Sequence, residues 1–174
     1  VTLISGPTNI IAPDRASVVA VQSADEMLEA VMSSISDADI FIGVAAVADY
    51  KPVSVLNQKI KKSGGSALTL NLVQNQDILK TVAELPNRPY TVGFAAETEN
   101  VIEYARAKLT AKNLDMIVAN NVADTSIGFN SDHNETTIIT RTISGTKEAK
   151  QSKMSKENLS RKLIELIAEQ VTEA

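Results

Sequence analysis

The sequence predicts an α/β fold, a doubly wound and mostly parallel sheet carrying one inserted lysine-rich flap. Three observations point there. Strand-like apolar runs alternate with amphipathic helical segments, the pattern of βαβ units with right-handed crossovers. Two of the runs, DIFIGVAA (Asp39 to Ala46) and YTVGFAA (Tyr90 to Ala96), are continuously apolar, as strands buried on both faces require. Residues 51 to 62 break the pattern with Lys51, Lys59, Lys61 and Lys62 and no acid.

The elements follow in order. Val1 to Ser5 reads as a buried strand ended by the Gly6-Pro7 turn, and Val18 to Val21 as a second short apolar run. Ser23 with Glu26 forms a capping box that opens a helix over residues 24 to 36, with Met27, Leu28, Val31 and Ile35 on one stripe. After the flap, Leu68, Leu70 and Leu72 alternate with polar residues and predict a half-exposed strand. Asp77 caps a short helix through Leu85. Asn100 to Lys112 is a helix with Val101, Tyr104, Ala105 and Leu109 inward, followed by a strand over Asp115 to Asn120. Thr136 to Thr142 alternates, Gly145 turns, and Ser155 caps a last helix carrying Leu159, Leu163, Leu166 and Ile167 on one stripe. The chain reads as a single domain over residues 1–174 with the flap inserted at 46–75.

Composition narrows the function. Among 174 residues there is no cysteine, which excludes thiolate metal sites, disulfides and a cysteine nucleophile. The one histidine, His133, lies in the polar stretch NSDHNE and reads as a surface residue, so no Ser-His-Asp chemistry is assembled elsewhere. No apolar run reaches the ~20 residues of a membrane-spanning helix, and no signal peptide opens the chain. With three Phe, three Tyr and no Trp, an aromatic platform for nucleic acid is not expected. A soluble intracellular globular domain without membrane or nucleic-acid partners is the expectation.

In an open α/β sheet, ligands bind at the carboxyl ends of strands. Four loops qualify: Ser5-Gly6-Pro7, Ala45 to Tyr50, Phe94 to Glu97, and Asn120-Asn121. The seven glycines fall at 6, 43, 64, 65, 93, 128 and 145, so neither a dinucleotide fingerprint nor a phosphate-binding P-loop is assembled. The flap lysines, uncompensated and followed by Gly64-Gly65, suit a mobile cover over a polyphosphate; a solvated loop is the plainer alternative. Lys108 and Lys112 are spaced to share one helix face, where a favourable helix-dipole interaction alone would explain them. Asp49 suits a metal, a ribose or merely a turn.

The segments AAVADYK (Ala45 to Lys51), KIKK (Lys59 to Lys62), VGFAAET (Val92 to Thr98), ARAKLTAKNLDMIVAN (Ala105 to Asn120) and GFNSD (Gly128 to Asp132) resemble bacterial phosphopantothenoylcysteine synthetases. These are the ligase half of a bifunctional coenzyme A biosynthesis protein. The resemblance implies a Rossmann-like sheet with a dimerising strand-and-flap insertion. It implies a CTP-dependent ligase joining 4′-phosphopantothenate to L-cysteine through an acyl-cytidylate, with Mg²⁺ beside the nucleotide and release of CMP and pyrophosphate. It also implies a homodimer, and a flavin-dependent decarboxylase domain fused upstream in some members.

Carried onto this chain, the resemblance places Gly43, Val44, Ala45 and Asp49 along the nucleotide, with Ala46 toward the substrate. Lys59 becomes the flap lysine needed for turnover. Asn75, Gln76, Asp77 and Ile78 match an Asn-Pro-Asp-Ile nucleotide loop in which Gln76 replaces the proline and gives up its fixed φ. Phe94 contacts the nucleotide, and Lys108 and Lys112 reach its phosphates. No residue is implied as a dedicated metal ligand. The family domain's first strand and phosphate loop are expected to precede Val1. Two other readings compete: a Rossmann-type NAD(P) oxidoreductase, disfavoured by the missing glycine fingerprint, and a non-catalytic nucleotide-binding fragment.

Overall fold

Helices and strands alternate in the computed structural model, which describes residues 1–56, 58–61, 67–122 and 131–173. The first elements are β1 (Thr2–Ser5), β2 (Ser17–Ala20), α1 (Ala24–Ser34), β3 (Ile40–Gly43), β4 (Tyr50–Pro52) and β5 (Leu72–Gln74). They are followed by α2 (Ile78–Ala83), β6 (Tyr90–Glu97), α3 (Val101–Ala111), β7 (Met116–Asn121), β8 (His133–Thr142), β9 (Gly145–Ser155) and α4 (Lys156–Glu173). The chain packs as two units, Val1–Ser34 with Ala45–Ile78, and Ile35–Val44 with Leu79–Ala174.

In the first unit β1 and β2 pair in parallel, from Thr2 opposite Ser17 to Ser5 opposite Ala20. The start of α1 is capped as expected on one side: Glu26 N–H donates to Ser23 Oγ at 3.2 Å. The reciprocal bond lands one residue earlier, with Gln22 N–H donating to Glu26 Oε2 at 2.7 Å. β4 and β5 form an antiparallel ladder, Tyr50 opposite Gln74 and Pro52 opposite Leu72. The strand expected across Leu68, Leu70 and Leu72 is corrected here. Pairing begins only at Leu72, and the three leucines are 56–66% exposed, so the alternating pattern marks an uncovered apolar surface.

The second unit is a five-stranded sheet in the order β3-β6-β7-β8-β9. β3, β6 and β7 run parallel, and β8 and β9 extend the sheet antiparallel. The mixed α/β expectation is met, with the buried core built on β6 and β7. The run at β3, expected to be buried on both faces, holds no buried residue because β3 is the edge strand, and β1, also expected to be buried, holds none either. One face buries Ala95, Ile117, Ala119 and Ile139 against Ala105 and Leu109 of α3. The other buries Val92, Met116, Val118 and Ile138 against Leu163 and Ile167 of α4. Tyr104, expected inward, is 47% exposed; it lies one position from Ala105, about 100° around the helix.

Two local devices fix α3 and the strands beneath it. Asn113 takes φ 54°, a left-handed conformation that asparagine tolerates. It closes α3 in a Schellman motif: Leu114 N–H donates to Leu109 O at 2.9 Å and Asn113 N–H to Thr110 O at 3.2 Å. The motif's apolar contact is the buried pair Leu109 and Leu114. Gly43 and Gly93 face each other across β3 and β6. A Cβ on Gly93 would lie 2.7 Å from Leu79 and 2.8 Å from Leu114, and one on Gly43 would lie 3.1 Å from Leu79. Neither position leaves room for a larger residue without a shift of Leu79.

At the amino end of the parallel strands, Arg88 donates to both oxygens of Asp115 at 2.5 and 2.6 Å. Asp115 also accepts from Thr91 N–H at 2.7 Å. The bond to Asp115 raises the Arg88 pKa, with burial opposing it. Burial, helped by the Asp115 charge, pushes the Tyr90 phenol up to about 12.

Candidate functional site

A cleft of about 610 Å³ opens in the first unit, where the chain leaves the carboxyl ends of β1 and β2. Its walls are the Ser5-Gly6-Pro7 turn, the start of α1 from Ser23 to Asp25, the Ala45 to Ala48 segment, Tyr50 to Pro52, and Asn75. Of the residues expected in the site, the structure brings Ala45, Ala46 and Asn75 together here.

Asn75 is the most tightly specified member. Its backbone N–H donates to Asp49 O at 2.8 Å and its Nδ2 donates to Ala48 O at 2.8 Å. Both bonds hold the amide against the Ala45 to Asp49 segment. They leave Oδ1 buried with no partner among the described residues, an acceptor available to a ligand N–H or O–H. Asp49 and Gln76 are exposed beside this loop, Asp77 is exposed with a partner of its own, and Ile78 is buried at 8%.

Lys51 corrects the picture of an uncompensated flap. It lies on β4 and pairs with Asp25 in the first turn of α1, both residues lining the cleft. Sequence reasoning found no acid because it looked within residues 51 to 62; the partner is 26 residues earlier. Lys59 and Lys61 are exposed and outside regular structure. Lys62 and the Gly64-Gly65 hinge lie outside the described residues.

The remaining candidates belong to the second unit. Gly43 ends β3, and Val44 after it is 61% exposed. Phe94 is half-buried on the α4 face of the sheet, against the cluster of Val92, Val118 and Ile138. Lys108 and Lys112 belong to α3 on the opposite face, so the sheet separates them from Phe94. Lys112 is the C-cap of α3, its N–H donating to Lys108 O at 2.9 Å. Lys108 Nζ pairs with Glu97 Oε1 at 2.6 Å. Glu97, the last residue of β6, was not among the expected site residues. Its place in the strand-end loop Phe94 to Glu97 was the signal available.

His133 is exposed on β8, as expected. Among the described residues, no group of three or more His, Asp or Glu side chains is placed to hold a metal ion, and no helix is long and apolar enough to cross a membrane.

Comparison with known proteins adds to this geometry. Residues 1–171 match the sequence family described as the DNA/pantothenate metabolism flavoprotein C-terminal domain. The chain is 52% identical over 140 residues to the coenzyme A biosynthesis bifunctional protein CoaBC of Vibrio cholerae, covering 79% of this chain and 35% of that protein. It is 52% identical over 137 residues to the CoaBC protein of Escherichia coli K12, covering 77% of this chain and 34% of that one. The chain thus spans about a third of the length of these relatives. The crystal structure of a C-terminal domain of CoaBC superposes with a TM-score of 0.80 at 34% identity, covering 99% of this chain and 75% of that one. A DNA/pantothenate metabolism flavoprotein from Streptococcus pneumoniae shares the fold, with a TM-score of 0.73 at 19% identity.

Proposed function

The chain belongs to the family of the DNA/pantothenate metabolism flavoprotein C-terminal domain, and from that premise we propose that it carries the ligase step of coenzyme A biosynthesis. The observation that carries this reading is the likeness to the CoaBC C-terminal domain over 99% of the chain. The proposed reaction joins 4′-phosphopantothenate to L-cysteine at the expense of CTP. The substrate carboxylate attacks the α-phosphorus and pyrophosphate leaves; the cysteine amine then attacks the acyl-cytidylate and CMP leaves.

Neither step requires a protein nucleophile, consistent with a chain that has no cysteine. The protein's task is alignment and charge neutralisation. In this reading Ala45, Ala46 and Asn75 line the bound ligand, and the free Oδ1 of Asn75 accepts one of its hydrogens. Lys108 and Lys112 neutralise the phosphate charge of bound CTP, and the flap lysine Lys59 acts in the second step, as CMP departs with developing negative charge. Mg²⁺, when bound, screens the triphosphate, and the exposed carboxylate of Asp49 is a protein oxygen open to it. The apolar residues exposed after β4 and before β5, among them Val53, Val55, Leu68 and Leu70, are proposed to be covered in a homodimer. The names and lengths of the relatives support a place within a longer bifunctional protein; that its other part is a flavin-dependent decarboxylase and that it works in the cytoplasm are parts of the proposal.

Calorimetric titration with CTP, ATP and NADH tests the reading. Saturable, Mg²⁺-dependent binding of CTP in preference to NADH supports it. Binding of NADH without CTP would favour the oxidoreductase alternative.

A further inference from the structure

Three neighbouring strands of the second unit carry a cross-strand row of polar side chains. Asn120 on β7 stands opposite Thr136 on β8, and Thr136 opposite Gln151 on β9. Residues in register point to the same side of a sheet, about 5 Å apart. Each of the three holds a buried oxygen with no hydrogen-bond partner among the described residues: Asn120 Oδ1, Thr136 Oγ1 and Gln151 Oε1. Thr136 and Gln151 are only 2% and 4% exposed. The next rows on the same face, through Val118 with Ile138 and through Met116, belong to the apolar cluster under α4, so the polar row is a sharp change of chemistry.

The orientation of Gln151 is fixed from within the strand. Its Nε2 donates to Ala149 O at 3.3 Å, and turning the amide over would set carbonyl against carbonyl. The ladder loses its regular register between Thr136 and Asn134, directly beyond this row, where two steps on β8 face three on β9. Irregularities of this kind re-aim side chains and loosen pairing locally. Exposure is graded along the row: Ala96, opposite Asn120 on β6, is exposed, Asn120 is half-buried, and Thr136 and Gln151 are buried.

We propose that Asn120, Thr136 and Gln151 form a hydration site, a short file of ordered water entering beside Ala96 and ending at Gln151. Water is the smallest group that brings two donors and two acceptors, and buried oxygens left without donors are costly. The row contains no carboxylate to balance a cation and no cationic side chain to hold an anion, so a neutral occupant suits it best. Its outer member, Asn120, stands at the carboxyl end of β7, and the file would hold that amide in one orientation at the edge where α/β sheets receive ligands. The proposal does not depend on the ligase reading.

The test joins a crystal structure of the whole chain to urea unfolding of Thr136→Val and Thr136→Ser. Density for water is expected within about 3.2 Å of Thr136 Oγ1 and Gln151 Oε1. Valine keeps the shape of threonine and removes the hydroxyl, so Thr136→Val should lower the urea midpoint by roughly 0.5 M, while Thr136→Ser retains most of it. A dry row in the crystal, or a midpoint that stays level or rises in Thr136→Val, overturns the proposal, because deleting an unpaired buried hydroxyl is neutral or stabilising.

Discussion

Lys108 Nζ on α3 lies 2.6 Å from Glu97 Oε1 at the end of β6, so a lysine expected to meet phosphate is already held by a carboxylate. The two side chains are 43% and 20% exposed, which limits the pair to about 1 kcal/mol of stability or less. Its larger consequence is electrostatic. Glu97→Gln should leave stability within about 1 kcal/mol of the parent and lower the CTP concentration for half-saturation roughly two- to fivefold, since a competing anion is removed. CTP-dependent pyrophosphate release measures the effect. An increased CTP requirement would mean that Glu97 positions Lys108 rather than competing for it.

The opposite edge of the sheet carries structure, not ligand chemistry. Asp115 joins Arg88 and the Thr91 amide where β6 and β7 begin, and the paired side chains are 25% and 17% exposed for Arg88 and Asp115. Asp115→Ala strands the guanidinium and one buried amide. The expected loss is about 2–4 kcal/mol, read as a melting temperature lower by roughly 5–10 °C. CTP binding by the folded fraction should be unchanged.

Tyr90 gives the fold an alkaline limit. Its hydroxyl is buried without a partner among the described residues, and its pKa is pushed up to about 12, from about 10 in an unfolded chain. Because the folded state favours the neutral phenol, this contribution is fully present below pH ~10. It is lost as pH rises toward 12, over which the unfolded chain releases its proton first. The loss amounts to roughly 1–3 kcal/mol. Tyr90→Phe should match the parent or exceed it at pH 7 and show a flatter decline above pH ~10 in urea midpoints. Identical alkaline slopes would contradict the assignment.

What was legible in the sequence follows from local chemistry. The apolar runs of β6 and β7 and the stripe of α4 declare themselves because each is buried by its own pattern, whereas the run of β3 lies at the sheet edge and holds no buried residue. β9 does not. Its sequence GTKEAKQSKMS has little strand propensity, and Gln151 is its only buried residue; the strand is imposed by pairing with β8. Its three lysines also suit an edge that must not pair further. The leucines at 68, 70 and 72 show the reverse error, a strand-like alternation whose apolar face is left exposed among the described residues. In the candidate site, Ala45, Ala46 and Asn75 were readable from motifs. The Lys51–Asp25 and Lys108–Glu97 pairs were not, because they join residues that only the fold brings together.

Lys59 is exposed and outside regular structure, as a residue acting only on a closing flap would be. Lys59→Gln should therefore spare CTP binding and slow the second step, in which the cysteine amine displaces CMP. Interactions made only in the transition state lower turnover with little effect on the Michaelis constant. Pyrophosphate release measured beside amide formation should show the first outrunning the second. Parallel loss of both would place Lys59 in the first step or in binding.

The central claim is tested most directly by following pyrophosphate, CMP and amide product together when the chain is mixed with CTP, Mg²⁺, 4′-phosphopantothenate and L-cysteine. The account predicts one pyrophosphate and one CMP per amide bond formed. It also predicts pyrophosphate release that requires 4′-phosphopantothenate, and CMP release that requires cysteine as well. Absence of CTP consumption with all three partners present, or release of pyrophosphate without 4′-phosphopantothenate, would contradict it.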